Sequence, residues 1–246
     1  MKQTVLLLIL LTSIVSFSQG QTINKKDAQG KKHGVWKKPY KDVKVYKYVG
    51  QFKHGVPYGT FTYFYKSGNV ESKMRFVDGT KEAYATLYHE SSGRIMAKGK
   101  YVNQQKDSLW LYFDNKGQLK SQEWYKNGKL NGQRVVYYEP VGGQYRVARF
   151  EYYKNGLLHG DFKEYYKNTK LKAEGKYVNG FLDGNVIYYY QNGRIQKVEK
   201  YAHNVKHGWW VFYNEEGQSI GKKLYYEGRA LKGKELEEKA KLFERK

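Results

Sequence analysis

From residue 30 onward, apolar or aromatic positions alternate with charged positions over short runs. In the run 171–177, leucine, alanine, glycine and tyrosine occupy the odd positions, and lysine or glutamate occupies the even ones. A period of two places successive side chains on opposite faces of a β-strand. The pattern therefore predicts a series of strands with one apolar face and one charged, hydrated face.

An aromatic residue recurs at nearly constant spacing along the same region. The successive gaps are 24, 25, 24, 28, 24, 24 and 24 residues, and a fixed period of this length indicates a repeat architecture. We call these residues the anchors: Phe52, Phe76, Tyr101, Tyr125, Tyr153, Tyr177, Tyr201 and Tyr225. A second apolar position follows each anchor, and both sets are assigned to the repeat core. The aromatic residues at this second position are Phe61, Trp110, Phe162 and Trp210.

Glycines and Asn-Gly pairs lie at fixed distances behind the anchors. Such residues tolerate the positive φ angles that tight turns need. Each unit is therefore predicted to be a β-hairpin, joined to the next hairpin by another turn. The turn glycines are Gly55, Gly59, Gly68, Gly128, Gly132, Gly156, Gly160, Gly180, Gly184, Gly193 and Gly208.

Together these patterns predict an all-β fold, an elongated and twisted antiparallel meander of about seven to eight hairpins over residues 30–232. Roughly 15 strands spaced at about 4.8 Å would give a sheet about 70 Å long. The glycine content excludes a helical solenoid. After Gly233, a helical face formed by Leu236, Ala240 and Phe243 predicts a short amphipathic capping helix over 233–246. Residues 19–29 carry little pattern and are predicted to be a flexible lead-in.

Residues 1–18 differ from the rest of the chain. Lys2 precedes an apolar run over 5–11, and small residues follow at Ser16 and Ser18. This order is typical of a secretory signal peptide cleaved near Ser18–Gln19. We therefore expect an exported protein, periplasmic, cell-surface or secreted. No later stretch of the sequence has the apolar length of a transmembrane helix.

Three motifs carry a family resemblance: residues 125–132 (YKNGKLNG), residues 153–160 (YKNGLLHG), and His207-Gly208-Trp209-Trp210. Over about residues 30–230 the chain resembles the bacterial variant of the MORN (membrane occupation and recognition nexus) repeat family. A standard MORN unit has glycine where this chain has residues such as Phe61 or Trp110. The resemblance implies stacked hairpins. It also implies an antitoxin-like role, because many members of that variant family are labelled as antitoxin components.

Two units are longer than the others. The unit 79–101 has one extra residue and the unit 128–153 has four. The segment 139–144 accounts for the second extension and is predicted to be a lengthened hairpin loop at the surface.

Several kinds of chemistry are excluded or disfavoured by the residues present. With no Cys there is no disulfide, no cysteine nucleophile and no Cys-ligated metal. His33, His159 and His207 precede the second glycine of a unit, a position that selects turn-forming residues, so neither a metal site nor a cofactor is predicted. Four carboxylates are interpreted as solvated cross-strand partners of lysine rather than as catalytic acids: Glu151, Glu164, Glu174 and Glu199.

The chain has 45 Lys and Arg residues against 23 Asp and Glu residues, and removal of 1–18 lowers its formal charge from +22 to +21. Basic residues among 26 tyrosines resemble a single-stranded nucleic-acid surface, but export argues against a nucleic-acid partner. Outside the cytoplasm, a basic field would attract anionic lipids and glycans weakly.

These observations favour an exported, non-catalytic repeat scaffold that binds another protein or an anionic lipid or glycan of the envelope. The alternative is an antitoxin-like partner that neutralises a toxin protein. An enzyme is the third interpretation, disfavoured because no acid, base and nucleophile converge in the pattern. The open ends of such a sheet are compatible with dimerisation.

Overall fold

A computed structural model describes residues 22–244. The predicted signal peptide and its cleavage point lie outside the described residues. Within them, one sheet contains twenty strands, and a helix, α1, follows at Gly233–Glu244. The strands are β1 Gly34–Pro39, β2 Tyr46–Lys53, β3 Val56–Phe64, β4 Val70–Phe76, β5 Glu82–Tyr88, β6 Ile95–Val102, β7 Gln105–Phe113, β8 Leu119–Lys126, β9 Lys129–Tyr137, β10 Val147–Lys154, β11 Leu157–Leu158, β12 Gly160–Tyr165, β13 Leu171–Val178, β14 Phe181–Leu182, β15 Gly184–Tyr189, β16 Ile195–Ala202, β17 Val205–Lys206, β18 Gly208–Tyr213, β19 Ser219–Tyr226 and β20 Arg229–Ala230.

The sheet is an antiparallel meander, as the sequence predicted. From β1 to β10, each strand pairs with the strand that follows it in the chain. The two-residue strands β11, β14, β17 and β20 follow a turn and pair with the end of the strand before them. The longer strands β12, β15 and β18 then pair with the same partner strands, β10, β13 and β16. The predicted all-β hairpin repeat with a short C-terminal helix is therefore confirmed.

The two faces of the sheet differ in burial. We call the face that carries the anchors the inner face and the opposite one the outer face. Cross-strand register on the inner face places Phe61 opposite Met74, and Met74 opposite Ala85. The residues nine positions after the anchors are the most deeply buried, since Phe61 is 2% exposed and Trp110 is completely buried. The core of most repeats therefore lies in this second position.

Most anchors pack around that core rather than within it. Phe52 is buried, and the other seven anchors are half-buried. The Tyr101 ring meets the Trp110 ring edge to face at 5.0 Å, and the Tyr177 ring lies 5.1 Å from that of Phe162. Aromatic pairs in such geometry add to the stabilisation that comes from buried area.

Tyrosine hydroxyls join successive repeats along one edge of the sheet. Each hydroxyl donates to the backbone carbonyl at the end of a strand one repeat further on, at distances of 2.6–2.9 Å. Inter-repeat bonds of this kind explain part of the tyrosine abundance, because an aromatic ring spans the distance between hairpins and its hydroxyl satisfies a terminal carbonyl. The donor and acceptor pairs are Tyr40–Phe64, Tyr65–Tyr88, Tyr138–Tyr165, Tyr166–Tyr189 and Tyr190–Tyr213.

Both ends of the sheet are covered by other segments. The predicted flexible lead-in is held over its described part, since the backbone N–H of Asn24 donates to Val35 at 2.8 Å and its side chain bonds Lys37. At the other end, the Phe243 ring of α1 lies 5.1 Å from the ring of His207, and Lys239 lies over Tyr226. Among the described residues, no helix is long and apolar enough to cross a membrane.

Candidate binding face

The polarity of the two faces is reversed in β8, β9 and β10. In the repeats on either side, the inner face carries an aromatic residue nine positions after the anchor, Trp110 or Phe162, and the outer residue that follows is Leu111 or Lys163. At the equivalent positions of β9, Arg134 lies on the inner face and Val135 on the outer face. The same reversal occurs in β8 and β10, where glutamate is inward and an aromatic residue outward. Strand β16 shares part of this feature, with Glu199 inward and Val198 outward, but its outward residue is not aromatic.

Charged side chains replace the aromatic core on the inner face of this region. Arg134 donates through Nε to Glu123 at 3.0 Å and through Nη1 to Glu151 at 2.9 Å. Arg149 bonds Glu151 and also bonds Glu164 at 2.9 Å. We call these five residues the inner ion network. The side chain of Glu151 is only 3% exposed, so its charge depends on these partners for stabilisation.

Tyrosine hydroxyls complete the network. The hydroxyls of Tyr125 and Tyr153 donate to Glu123 and Glu151, each at 2.7 Å. Burial alone would raise the pKa of Glu151, but hydrogen bonds from Tyr153 and Arg134 and the charge of Arg149 hold it below its usual 4.5. Burial and the bond to Glu151 raise the pKa of Tyr153 to about 12. Glu151 is therefore ionised at neutral pH.

Two of the carboxylates interpreted as solvated from the sequence are in fact buried. Glu151 and Glu199 are 2% and 4% exposed. Glu199 bonds Lys197 at 2.6 Å and accepts from Tyr201 at 2.9 Å. Only Glu164 and Glu174 keep partial exposure. The expectation failed because it considered only the lysines nearby in sequence: Glu151 and Glu199 lie two residues before the anchors Tyr153 and Tyr201, so the alternation of each strand places them on the inner face.

Apolar side chains lie on the outer face directly behind the network. Cross-strand register places Leu109 opposite Trp124, and Val135 opposite Phe150. The rings of Phe150 and Tyr152 meet edge to face at 5.0 Å. Trp124 is 44% exposed and Tyr152 is 42% exposed. We call this set the outer patch: Leu109, Leu111, Trp124, Val135, Phe150 and Tyr152.

Lysines border the outer patch on both sides along the sheet. Lys98 of β6 lies opposite Leu111, and Lys163 of β12 lies opposite Phe150. Lys176 on β13 follows beyond them, and its side chain is exposed. An apolar centre with aromatic anchors and a charged rim is the composition of a protein interface.

The two sets of residues differ in what they can do chemically. The acids of the inner ion network are each engaged by arginine or tyrosine, so the network holds β8, β9, β10 and β12 together. The outer patch offers exposed rings and neighbouring ammonium groups, which suit non-covalent recognition.

The residues singled out from the sequence lie in the framework, not in the outer patch. The anchors and the aromatic residues nine positions after them line the inner face. The eleven turn glycines all have positive φ, between 63° and 116°. The sequence reasoning missed the outer patch, although one signal was available: Trp124 and Tyr152 stand where other repeats have Lys100 and Lys176.

Comparison with known proteins identifies no family. No family model matches the chain, and no curated protein matches it. A chain from the crystal structure of the GtfA/B complex bound to UDP and GlcNAc has 14% sequence identity and a TM-score of 0.21. The likeness covers 52% of this chain and 24% of that one. At this level of likeness it carries no argument about function, so the candidate function of this chain depends on the residues of its own two faces.

Proposed function

We propose that this protein is an exported, non-catalytic repeat scaffold of the MORN-like type, and that it binds an acidic protein partner through the outer patch. The observation that carries the proposal is the reversed polarity of β8, β9 and β10, which puts Trp124 and Tyr152 in solvent. Exposed apolar patches with a polar border are characteristic of interaction sites on soluble proteins.

The chemistry of the outer patch favours a protein over other partners. Trp and Tyr bury large area at low cost in side-chain entropy, and they dominate the energetic centres of protein interfaces. Lys98, Lys163 and Lys176 would meet acidic groups at the rim of the partner and speed the encounter. The formal charge of +22 acts in the same direction over longer range.

Comparing equivalent positions of the repeats provides a test that preserves the framework. Trp124 and Tyr152 occupy the position held by Lys100 and Lys176 in other repeats. The double variant W124K/Y152K therefore restores a side chain that the fold already accepts. A matched control is F181K, which places lysine at an aromatic residue that is 46% exposed but lies at a hairpin turn outside the patch.

The proposal predicts that the wild type and F181K capture the same protein from envelope extract, and that W124K/Y152K does not. Raising the salt concentration should weaken capture without abolishing it, because an apolar centre is insensitive to screening. Equal capture by W124K/Y152K would show that the partner binds elsewhere.

Binding of an anionic glycan or lipid is the second candidate, favoured by the exposed lysines of the same face. It predicts retention on an acidic polysaccharide or an anionic lipid vesicle that disappears steeply as salt rises. Under this candidate W124K/Y152K, which adds two positive charges, binds more tightly than the wild type. The two candidates therefore predict opposite effects of one variant.

A toxin protein, which the family resemblance implies, would be one acidic partner of the proposed kind. Co-expression with the captured protein tests this directly. Rescue of growth by the wild type but not by W124K/Y152K would identify a toxin, whereas a captured protein that does not impair growth would exclude it.

A further inference from the structure

Three side chains with metal-binding atoms converge at the N-terminal end of the sheet. Asp27, His33 and His54 each place one ligand atom within 4.8 Å of the others. The Oδ2 atom of Asp27 lies 2.8 Å from Nδ1 of His54, and the rings of His33 and His54 lie 5.0 Å apart. Within residues 22–244, no second group of three such residues comes together in this way.

The surrounding backbone holds the carboxylate of Asp27 in place. Its Oδ1 atom accepts the backbone N–H groups of Gln29 at 3.0 Å and Lys31 at 2.9 Å. This arrangement leaves Oδ2 directed at His54. Hydrogen bonds that fix the orientation of a ligating side chain are typical of metal sites.

The turn that carries His54 is fixed in the same way. His54 has a φ of 50°, and the N–H of Gly55, the next residue, donates to the carbonyl of Lys32 at 2.8 Å. The first hairpin turn is thereby tied to the segment that contains His33. The two histidines are 21 residues apart in sequence and are brought together by the stacking of one turn on the next.

A second site in the chain shows what the repeat alone produces. In later repeats Asp183 stands at the position of His33, and His203 at the position of His54. Their Oδ2 and Nδ1 atoms lie 3.3 Å apart. This contact is a pair. At the N-terminal end, Asp27 comes from the segment before β1 and is not part of any repeat. The third ligand therefore distinguishes this cluster from the ordinary contact between turns.

We propose that Asp27, His33 and His54 bind a divalent transition-metal ion of the zinc class. Two imidazoles and one carboxylate are a recognised ligand set for such ions, and they leave a position open for water or for a fourth ligand. A tetrahedral zinc ion with ligand bonds of about 2.0–2.1 Å has ligand atoms about 3.3 Å apart. The exposed side chains of His33 and His54 would reach that spacing by rotation, and the contact of 2.8 Å between Asp27 and His54 would lengthen. The ion would fasten the segment before β1 to the first hairpin turn.

The proposal departs from the sequence expectation that His33 is only a turn former. That expectation considered His33 in its own turn and left out Asp27, which lies in the presumed lead-in. The metal-site proposal is independent of the outer patch, so failure of one proposal leaves the other unaffected.

Zinc titration of the purified, untagged protein, followed by calorimetry, tests the site. The variants are D27N, H33N and H54N. Asparagine already occupies the position of His54 in other repeats with the same positive φ, as at Asn127 and Asn155, so the turn should persist. H203N is the matched control, because it alters the pair that lacks a third ligand.

The wild type and H203N should bind one equivalent of zinc and no magnesium, since nitrogen ligands disfavour hard cations. Each of the three variants should lose affinity by at least about 100-fold, because even residues that only orient a ligand cost about 10–100-fold. Zinc should also raise the thermal midpoint of the wild type in proportion to the logarithm of its concentration. Absence of saturable zinc binding by the wild type, undiminished binding by H54N, or equal loss in H203N would overturn the proposal.

Discussion

The indole ring of Trp110 lies directly against the backbone of Gly99 on the neighbouring strand. A Cβ atom at residue 99 would come within 2.2 Å of Trp110 Cδ2. The indole Nε1–H also donates to the carbonyl of Lys100 at 3.1 Å. Phe61 covers Gly50 in the same way. Phe162 lies against Gly175 in a similar way, so in three repeats the buried aromatic ring is accommodated by a glycine on the neighbouring strand.

We expect G99A to destabilise the protein by about 1–3 kcal/mol, the usual cost of overpacking a core. The methyl group would collide with a completely buried ring that cannot move outward. Denaturant unfolding followed by circular dichroism measures the change. G221A is the control: Gly221 is also in a strand, and a Cβ there meets no atom within 4 Å. An effect of G221A as large as that of G99A would contradict this explanation.

Removing Arg134 should be more costly than removing an exposed arginine. R134M leaves Glu123 and Glu151 without their shared partner, and a buried charge that loses its partner is strongly destabilising. Because the Arg134 side chain is 32% exposed, we expect a loss of about 2–3 kcal/mol rather than the full penalty. R194M removes an exposed arginine that donates to the carbonyl of Glu215 and should cost less than about 1 kcal/mol. Equal losses would show that the network is not a stabilising centre.

The buried carboxylate of Glu151 should make stability depend on pH in the acid range. Its pKa in the folded protein lies below the ordinary value of 4.5, so the folded state binds fewer protons than the unfolded state. Its stabilisation is present above pH 4.5 and is lost as the pH falls through the folded-state pKa. The difference in unfolding free energy between the wild type and E151Q should therefore be largest at neutral pH and shrink below pH 4.5.

Unfolding titrations at a series of pH values measure this difference. E216Q, in an exposed loop, should match the wild type throughout. A gap between the wild type and E151Q that stays constant or widens in acid would contradict the assignment of Glu151 as an ionised group.

The tyrosine hydroxyls at the sheet edge should contribute additively, because each joins a different pair of repeats. Replacing Tyr65, Tyr138, Tyr166 and Tyr190 by phenylalanine one at a time should cost about 0.5–1.5 kcal/mol each. The quadruple variant should lose about the sum, since distant sites add. Y84F, at an outer-face tyrosine that is 45% exposed, is the control. A quadruple variant as stable as the wild type would exclude a role for these bonds in joining the repeats.

The repeat itself could be predicted from the sequence because its signals are local. The spacing of Tyr153, Tyr177 and Tyr201, and the glycines behind them, gave the hairpins, the meander and the terminal helix. The sequence pattern did not show which aromatic residue of a repeat is the most buried. Trp110 and Tyr101 are both apolar-face residues, and only the register of three strands shows that Trp110 lies over Gly99 while Tyr101 lies at its edge.

The outer patch and the metal cluster depend on relationships between repeats. Trp124 faces outward through the alternation within β8, but its neighbours in the outer patch, such as Leu109 and Phe150, come from other strands. His33 and His54 meet because adjacent turns stack, and neither residue has a metal-site spacing in the sequence. Patterns within one strand do not contain this information, whereas differences between equivalent positions of the repeats contain part of it.

The most direct test of the proposed function is a photo-crosslinking side chain placed at Gln133. This residue lies opposite Tyr152, on the outer face at the centre of the patch. The control position is Lys222, which is exposed on the outer face near the last hairpin. After irradiation in envelope extract, we predict a covalent adduct with a single acidic protein from position 133 and none from position 222. An adduct formed only from position 222, or from neither position, would contradict recognition through the outer patch.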